Sequence, residues 1–362
     1  MGLEEKEEVS CTVIVPTYNE AENIPELVRR LRAVILDIQV LVVDDNSPDG
    51  TAKVARELGC SVIVRTDKRG LASAVIDGFK SVESDSIVVM DADLQHPPEL
   101  IPELVEALKT YDIVVASRYC KGGSIQGWSL TRGFVSWAAN LLALPLAPKV
   151  KDRTSGYFAL RRSALPPVDV LNGTGFKIML EILCKSGASR VGEVPCNFVP
   201  RAKGATKFKA KQVREYLKHL ASLYIYKYRR FLKFCLVGFL GAILNLGLLA
   251  LLTEVVGLHY LVAWVITIET VLITNFVLND LWTFKDRRAR GSSTLGRARS
   301  YFITCIGGVI IQFGILALLT EVAGVYYIVS ATIGIIVGFF WNYTGSTLWA
   351  WRVKHSHTTL IK

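Results

Sequence analysis

Ser86-Ile-Val-Val-Met-Asp91-Ala-Asp93-Leu-Gln95-His-Pro-Pro-Glu99 begins as an unbroken apolar run and ends in carboxylates, an amide and two prolines. The run Ser86–Asp91 reads as a strand buried on both faces, because Val and Ile dominate it and no polar residue alternates. In an extended chain Asp91 and Asp93 project to the same side and can share one divalent cation. Oxygen donors suit Mg²⁺ or Mn²⁺, which would bridge a departing diphosphate, and Gln95 can add a neutral oxygen. Taken alone, the triplet reads better as a pair of aspartates capping a loop. Its surroundings decide.

On either side, Thr12–Pro16, Val40–Asp44, Ser61–Arg65 and Ile113–Ser117 are further short Val- and Ile-rich runs. Amphipathic stretches at 20–36, 51–58, 71–80 and 99–110 separate them. This alternation predicts an α/β fold with a mostly parallel sheet covered on both faces. Ligands of such sheets bind beyond the carboxyl ends of the strands. Pro16-Thr17-Tyr18-Asn19-Glu20 and Asp44-Asp45-Asn46-Ser47-Pro48-Asp49 lie at two such ends, and Asp91–Pro98 at a third. Tyr18 beside a base, with Glu20 and Asp45 accepting from base or ribose, gives a nucleoside site. Asp49 reads better as a cap of the following helix.

The whole chain, 362 residues, is 51% hydrophobic with 42 Lys+Arg against 32 Asp+Glu. That apolar content excludes a wholly soluble enzyme and a disordered chain. The seven cysteines form no CxxC pair, which argues against zinc and a disulfide scaffold. Residues 1–9 are acidic and polar with no apolar signal region. Four apolar segments, about 231–253, 259–280, 301–320 and 326–348, match the ~20 residues a bilayer requires. The 284–299 loop carries six basic residues, while 254–260 and 321–327 carry no Lys or Arg. By the positive-inside rule the N-terminal part, the middle loop and the C-terminus are expected on the cytoplasmic side of the cell membrane.

The spans are duplicated. ALLTEVVGLHYLV (250–262) returns as ALLTEVAGVYYIV (317–329) at an offset of 67, which also relates Gly241 to Gly308 and Asn275 to Asn342. Glu269 faces Ile336 in this alignment, a carboxylate within a span that is either functional or structurally neutralised. Two further helices, 129–147 and 208–228, are amphipathic and are expected to lie in the membrane interface. The expected division is therefore 1–228 and 229–362. With the basic run beside the spans, no nucleic-acid partner is expected.

PTYNE, VVDDNSPDG, RGLASAVIDGF and VMDADLQHPPE, in this order, resemble the dolichyl-phosphate mannose synthases. These are inverting glycosyltransferases of the GT-A, Rossmann-like fold that use GDP-mannose. The duplicated spans resemble the GtrA-like membrane domain. The resemblance implies donor contacts at Pro16, Tyr18, Glu20, Val43, Asp45, Asp91 and Ala92, with Asp93 and Gln95 as metal ligands. Asn46 departs from the third Asp that relatives often carry.

Arg118 follows a strand, near the expected diphosphate. Arg132 and Ser136, one turn apart, are placed to hold an anionic head group from the bilayer. Arg201, Lys203 and Lys207 flank Gly204 in a cationic loop. The resemblance assigns these positions to donor or acceptor phosphate, with Arg118, Arg132 and Ser136 on the acceptor side, and places Asp152 near the sugar. Ser155-Gly156-Tyr157 and Gly175-Phe176-Lys177 would line the sugar side, with Lys177 on a phosphate. Asp91, Asp93, Arg118 and Arg201 are the expected catalytic set. A phosphate monoester is already largely ionised at neutral pH, so no general base is expected. Open alternatives are UDP-glucose as donor, a lipid-linked-sugar flippase, or a scaffold.

Overall fold

The computed structural model describes residues 10–35, 38–67, 70–173, 177–199, 210–288 and 293–352, without the side chains of 210 and 211. The chain divides into two compact units, Met1–Lys227 and Tyr228–Lys362.

In the first unit, strands β1 (Cys11–Thr17), β2 (Gln39–Asp44), β3 (Ser61–Val64), β4 (Ser86–Val89) and β5 (Ile113–Ser117) alternate with helices α1 (Ile24–Val34), α2 (Thr51–Glu57), α3 (Leu71–Ser81) and α4 (Ile101–Ala107). There follow β6 (Ser124–Ile125), α5 (Leu130–Leu142), β7 (Phe158–Arg161), α6 (Ile178–Lys185), β8 (Val191–Pro195) and β9 (Asn197–Phe198). Seven strands form one sheet in the order β3-β2-β1-β4-β7-β5-β8, and β6 pairs with β9. All neighbours in the large sheet are parallel except β7, which runs antiparallel between β4 and β5. Two apolar clusters cover the two faces: Val13, Val15, Val42 and Val88 pack with α1 and α4, and Ile14, Val43, Ile87 and Val115 pack with α3 and α6. This is why the strands lack polar alternation.

Two expectations need correction. The strand ahead of Asp91 ends at Val89, so Asp91 and Asp93 lie in a bend, not on one face of an extended strand. Leu94, at φ +60, turns the chain there. The second interface helix and the first span are also not separate: one helix, α7 (Ala210–Ala250), runs through both, since no Gly or Pro interrupts 210–237.

The second unit comprises the rest of α7 with α8 (Tyr260–Leu278), α9 (Lys285–Arg288), α10 (Thr294–Ala317) and α11 (Tyr327–Gly345). Among the described residues, four helices are long and apolar enough to cross a membrane, Gln212–Val255, Tyr260–Thr283, Thr294–Val322 and Tyr327–Ala350. The protein is a multi-pass membrane protein. The 67-residue offset is visible in its backbone: α8 and α11 begin and end 67 residues apart, and the identical Leu251–Val255 and Leu318–Val322 are both π-helical turns. A second pair of π turns, Asn279–Thr283 and Ser346–Ala350, follows the same rule. Glu269 lies on the exposed side of α8 and makes no ion pair among the described residues.

Candidate active site

The carboxyl ends of β1, β2, β4 and β5 supply the site, as the topology requires. At β2, Asp44 is a builder. It accepts Thr17 Oγ1 at 2.9 Å, Ser47 N at 2.8 Å and Ser47 Oγ at 2.5 Å, and is wholly buried. Asn46 follows at φ +55, a left-handed conformation that Asn tolerates well. Asp49 accepts the Ala21 and Thr51 backbone N–H groups and the Thr51 hydroxyl, tying the two loops together. Burial opposes its charge, yet those hydrogen bonds hold its carboxyl below the ordinary range.

Asp45 is already engaged. Its Oδ2 accepts the Gly70 N–H at 2.8 Å and its Oδ1 pairs with Arg65 Nη2 at 2.8 Å. Arg65, at the end of β3, also reaches Ser73 Oγ at 3.0 Å and Asp77 at 3.4 Å, and is 6% exposed. The sequence reading missed Arg65, although its place directly after a short Val- and Ile-rich strand was a signal. Pro16 and Val43 are register partners on β1 and β2, Tyr18 is exposed, and Glu20 Oε2 accepts Asn23 Nδ2 at 2.6 Å.

Beyond β4, Asp93 and Gln95 are nearly buried while the Asp91 side chain is 36% exposed. Asp93 Oδ1 accepts the Gln95 N–H at 3.1 Å. The Gln95 amide nitrogen donates to Val199 O at 3.2 Å, so its oxygen is the atom left to face a cation. Two carboxylates and an amide oxygen fit a hard divalent ion that takes its remaining ligands from phosphate and water. His96, also missed, accepts the Asp91 N–H on Nδ1 at 3.2 Å and stacks on Tyr157 at 5.0 Å. Burial lowers its imidazole to about 4, so it is neutral and keeps this acceptor role. Gly156 backs onto the pair: a Cβ there would lie 3.3 Å from Asp91 Oδ2.

Beyond β5, Arg118 is held by Asp152 through Nε at 2.7 Å and Nη2 at 2.8 Å, and by Thr154 Oγ1 at 3.1 Å. Its guanidinium also lies over Trp128 at 5.3 Å and Phe198 at 5.5 Å. Arg132 lies over the same Trp128 ring at 4.5 Å. Ser136 shares a hydrogen bond with the Tyr119 hydroxyl at 3.0 Å, so α5 turns Arg132 and Ser136 toward Arg118. Its other face, Leu130, Phe134, Trp137 and Leu141, is an exposed apolar stripe. Lys177 donates to Thr154 O, and burial, aided by the nearby Arg118 cation, lowers its ammonium to about 8. Asp91, Asp152 and Arg132 act on it electrostatically as well, so these charged side chains are neighbours. Arg201, Lys203, Lys207, Gly175 and Phe176 lie outside the described residues.

Sheet order, acidic bend and cationic wall define a GT-A glycosyltransferase. Residues 12–167 match Glycosyl transferase family 2, and residues 233–351 match the GtrA/DPMS transmembrane domain. A dolichol-phosphate mannosyltransferase of Pyrococcus furiosus is 42% identical over 343 residues, 91% of this chain and 96% of its own. That of Saccharomyces cerevisiae is 38% identical over 61% of this chain and 89% of its own. An undecaprenyl-phosphate mannosyltransferase of Micrococcus luteus is 39% identical over 56% and 88%. The chain belongs to the dolichol-phosphate mannosyltransferase family and is a glycosyltransferase.

Proposed function

We propose that the protein transfers mannose from GDP-mannose to dolichyl phosphate or another polyprenyl phosphate. One observation carries this reading: the oxygen donors beyond β4 and the cations Lys177, Arg118 and Arg132 cluster around Thr154, Gly156 and Trp128, beside a helix with an exposed apolar stripe. Such a cluster suits two anionic reactants, one of which arrives from a bilayer. Tyr18, Glu20 and Asp45, with Pro16 and Val43 beneath them, receive the nucleoside. Lys177 holds the donor diphosphate, together with Arg201 and Lys207 from the sequence reading. Arg132, Ser136 and Arg118 hold the acceptor phosphate.

Asp91, Asp93 and Gln95 are the residues that would hold Mg²⁺ or Mn²⁺, which supplies charge neutralisation for the leaving diphosphate. An acceptor phosphate oxygen attacks the anomeric carbon as the bond to the nucleoside diphosphate breaks. The product is the β-linked sugar phosphate, by inversion. The nucleophile is already an anion, so catalysis consists of holding two negative groups in line while cations offset their repulsion. The six basic residues within 284–299 support a cytoplasmic active site and cytoplasmic termini in the cell membrane.

The test is a transfer assay on purified protein in lipid, with dolichyl or undecaprenyl phosphate, Mg²⁺ or Mn²⁺, and labelled GDP-mannose or UDP-glucose. Metal-dependent mannolipid, lost in Asp93→Asn with membrane insertion intact, is the expected result. Glucolipid alone would replace the donor, and wild-type turnover by Asp93→Asn would remove the metal assignment. No lipid product from any combination would overturn the reading.

A further inference from the structure

Glu181 is wholly buried, and the transfer step makes no use of it. It sits one turn into α6, the helix that begins directly after Lys177. Its Oε1 accepts the Asn172 N–H at 2.7 Å and Lys185 Nζ at 2.5 Å, and its Oε2 meets His219 Nε2 at 3.1 Å. His219 is 3% exposed and belongs to the amphipathic opening of α7. A carboxylate this deep is stable only when donors surround it, so it fixes its three partners to one point.

Two routes lead from that point to the donor side. Along α6, Glu181 sets the helix whose first residue follows Lys177. Through Asn172 it sets Gly173, where a Cβ would lie 3.0 Å from Ser73 Cβ, and Ser73 Oγ accepts from the Arg65 that holds Asp45. The acceptor side hangs on α7 by different bonds: the Tyr216 hydroxyl donates to Ala139 O and that of Tyr224 to Leu142 O, both at 2.7 Å and both on α5. One helix thus braces both sides through separable contacts.

We propose that His219 and Glu181 are positioning residues for the sugar nucleotide, tying α7 to Asn172 and to the start of α6 so that Lys177 meets the donor diphosphate. Tyr216 and Tyr224 do the same for α5 and the lipid phosphate. The inference rests on the assignment of Lys177 to the donor given above.

The experiment measures donor and acceptor KM separately on the full chain in lipid, for His219→Leu, His219→Gln, Tyr216→Phe and Lys177→Met. His219→Leu is expected to raise donor KM about tenfold, the effect of one lost charge-assisted hydrogen bond, with acceptor KM unchanged. His219→Gln, whose amide can still donate to Glu181, restores donor KM, and Tyr216→Phe moves acceptor KM alone. If His219→Leu is not recovered folded, His219→Asn, whose amide is too short to reach Glu181, carries the same expectation. A high donor KM in Lys177→Met with no donor-specific effect at His219 overturns the link itself. An unchanged donor KM in Lys177→Met overturns the assignment of Lys177, and this inference with it.

Discussion

Asp152 and Arg118 are locked in a two-pronged ion pair, Nε to Oδ2 at 2.7 Å and Nη2 to Oδ1 at 2.8 Å, with side chains 0% and 9% exposed. The Asp152 carboxylate also accepts the Arg118 backbone N–H at 3.0 Å. Burial opposes charge on both residues, but the mutual hydrogen bonds win, lowering the carboxyl and raising the guanidinium. Asp152 therefore sets the plane of the cation that holds the acceptor phosphate in the proposed reaction.

Replacing Asp152 by Asn should consequently damage catalysis more than a surface change could. The variant leaves a buried guanidinium with half its pairing, a loss of about 3–5 kcal/mol in stability. Transfer efficiency should fall by roughly a hundredfold or more as Arg118 loses its orientation. Thermal unfolding and kcat/KM in the same detergent preparation check both figures. Near-wild-type kcat/KM would mean that Arg118 is oriented by its aromatic neighbours alone.

Lys177 gives the transfer reaction a pH dependence with a definite sign. Burial and the Arg118 cation lower its ammonium to about 8, so the charge is present below that pH and lost above it. The kcat/KM for the sugar nucleotide, which reports the free enzyme, should therefore decline as pH rises from 7 to 9. Stability moves the opposite way. A lysine harder to protonate when folded than when unfolded destabilises the fold below about pH 8, and that penalty fades as pH rises toward 10. The decline should vanish in Lys177→Met, and its persistence there would assign the titration to another group.

Gly156 is predicted to be intolerant of a methyl group. An added Cβ would stand 3.3 Å from Asp91 Oδ2, close enough to press on the carboxylate, while its 3.6 Å approach to His96 Cε1 is ordinary contact. Gly156→Ala should fold, reach the membrane and show about a tenfold fall in kcat/KM, with a raised metal requirement. A metal titration of the transfer rate checks this, and an unchanged half-saturating concentration would count against it.

Much of this was legible in the sequence because buried parallel strands announce themselves as uninterrupted Val and Ile runs, as in Ile113–Ser117. The later strands were not. β7 lies in Phe158–Arg161, too short and too polar at its end to stand out, yet it separates β4 from β5 and brings Gly156 behind Asp91. Residue types in the site were readable, whereas their pairings were not. The sequence marks Asp45 as an acceptor for base or ribose, but not its partner Arg65, which lies 20 residues away just beyond another strand, joined only by the fold. Arg118 and Asp152 are likewise joined only by folding. Local patterns encode elements, and long-range ion pairs leave no periodicity to read.

The duplicated membrane unit offers a test in which the protein serves as its own control. A Cβ on Gly241 would sit 2.5 Å from Asn275 Oδ1, and one on Gly308 would sit 2.4 Å from Asn342 Oδ1, the same contact at a spacing of 67. In each repeat a missing side chain lets a polar residue of a neighbouring helix approach the backbone closely. Gly241→Ala and Gly308→Ala should each cost about 1–3 kcal/mol by overpacking. Shortening the facing residue, in Gly241→Ala with Asn275→Ala or Gly308→Ala with Asn342→Ala, should recover part of that loss, because contacting residues do not act additively. Unfolding midpoints in one detergent measure all of these. Matching penalties in the two repeats, with matching recovery, would show that the contact is equivalent in both copies; a penalty in one repeat alone would show that the copies have diverged in how they pack.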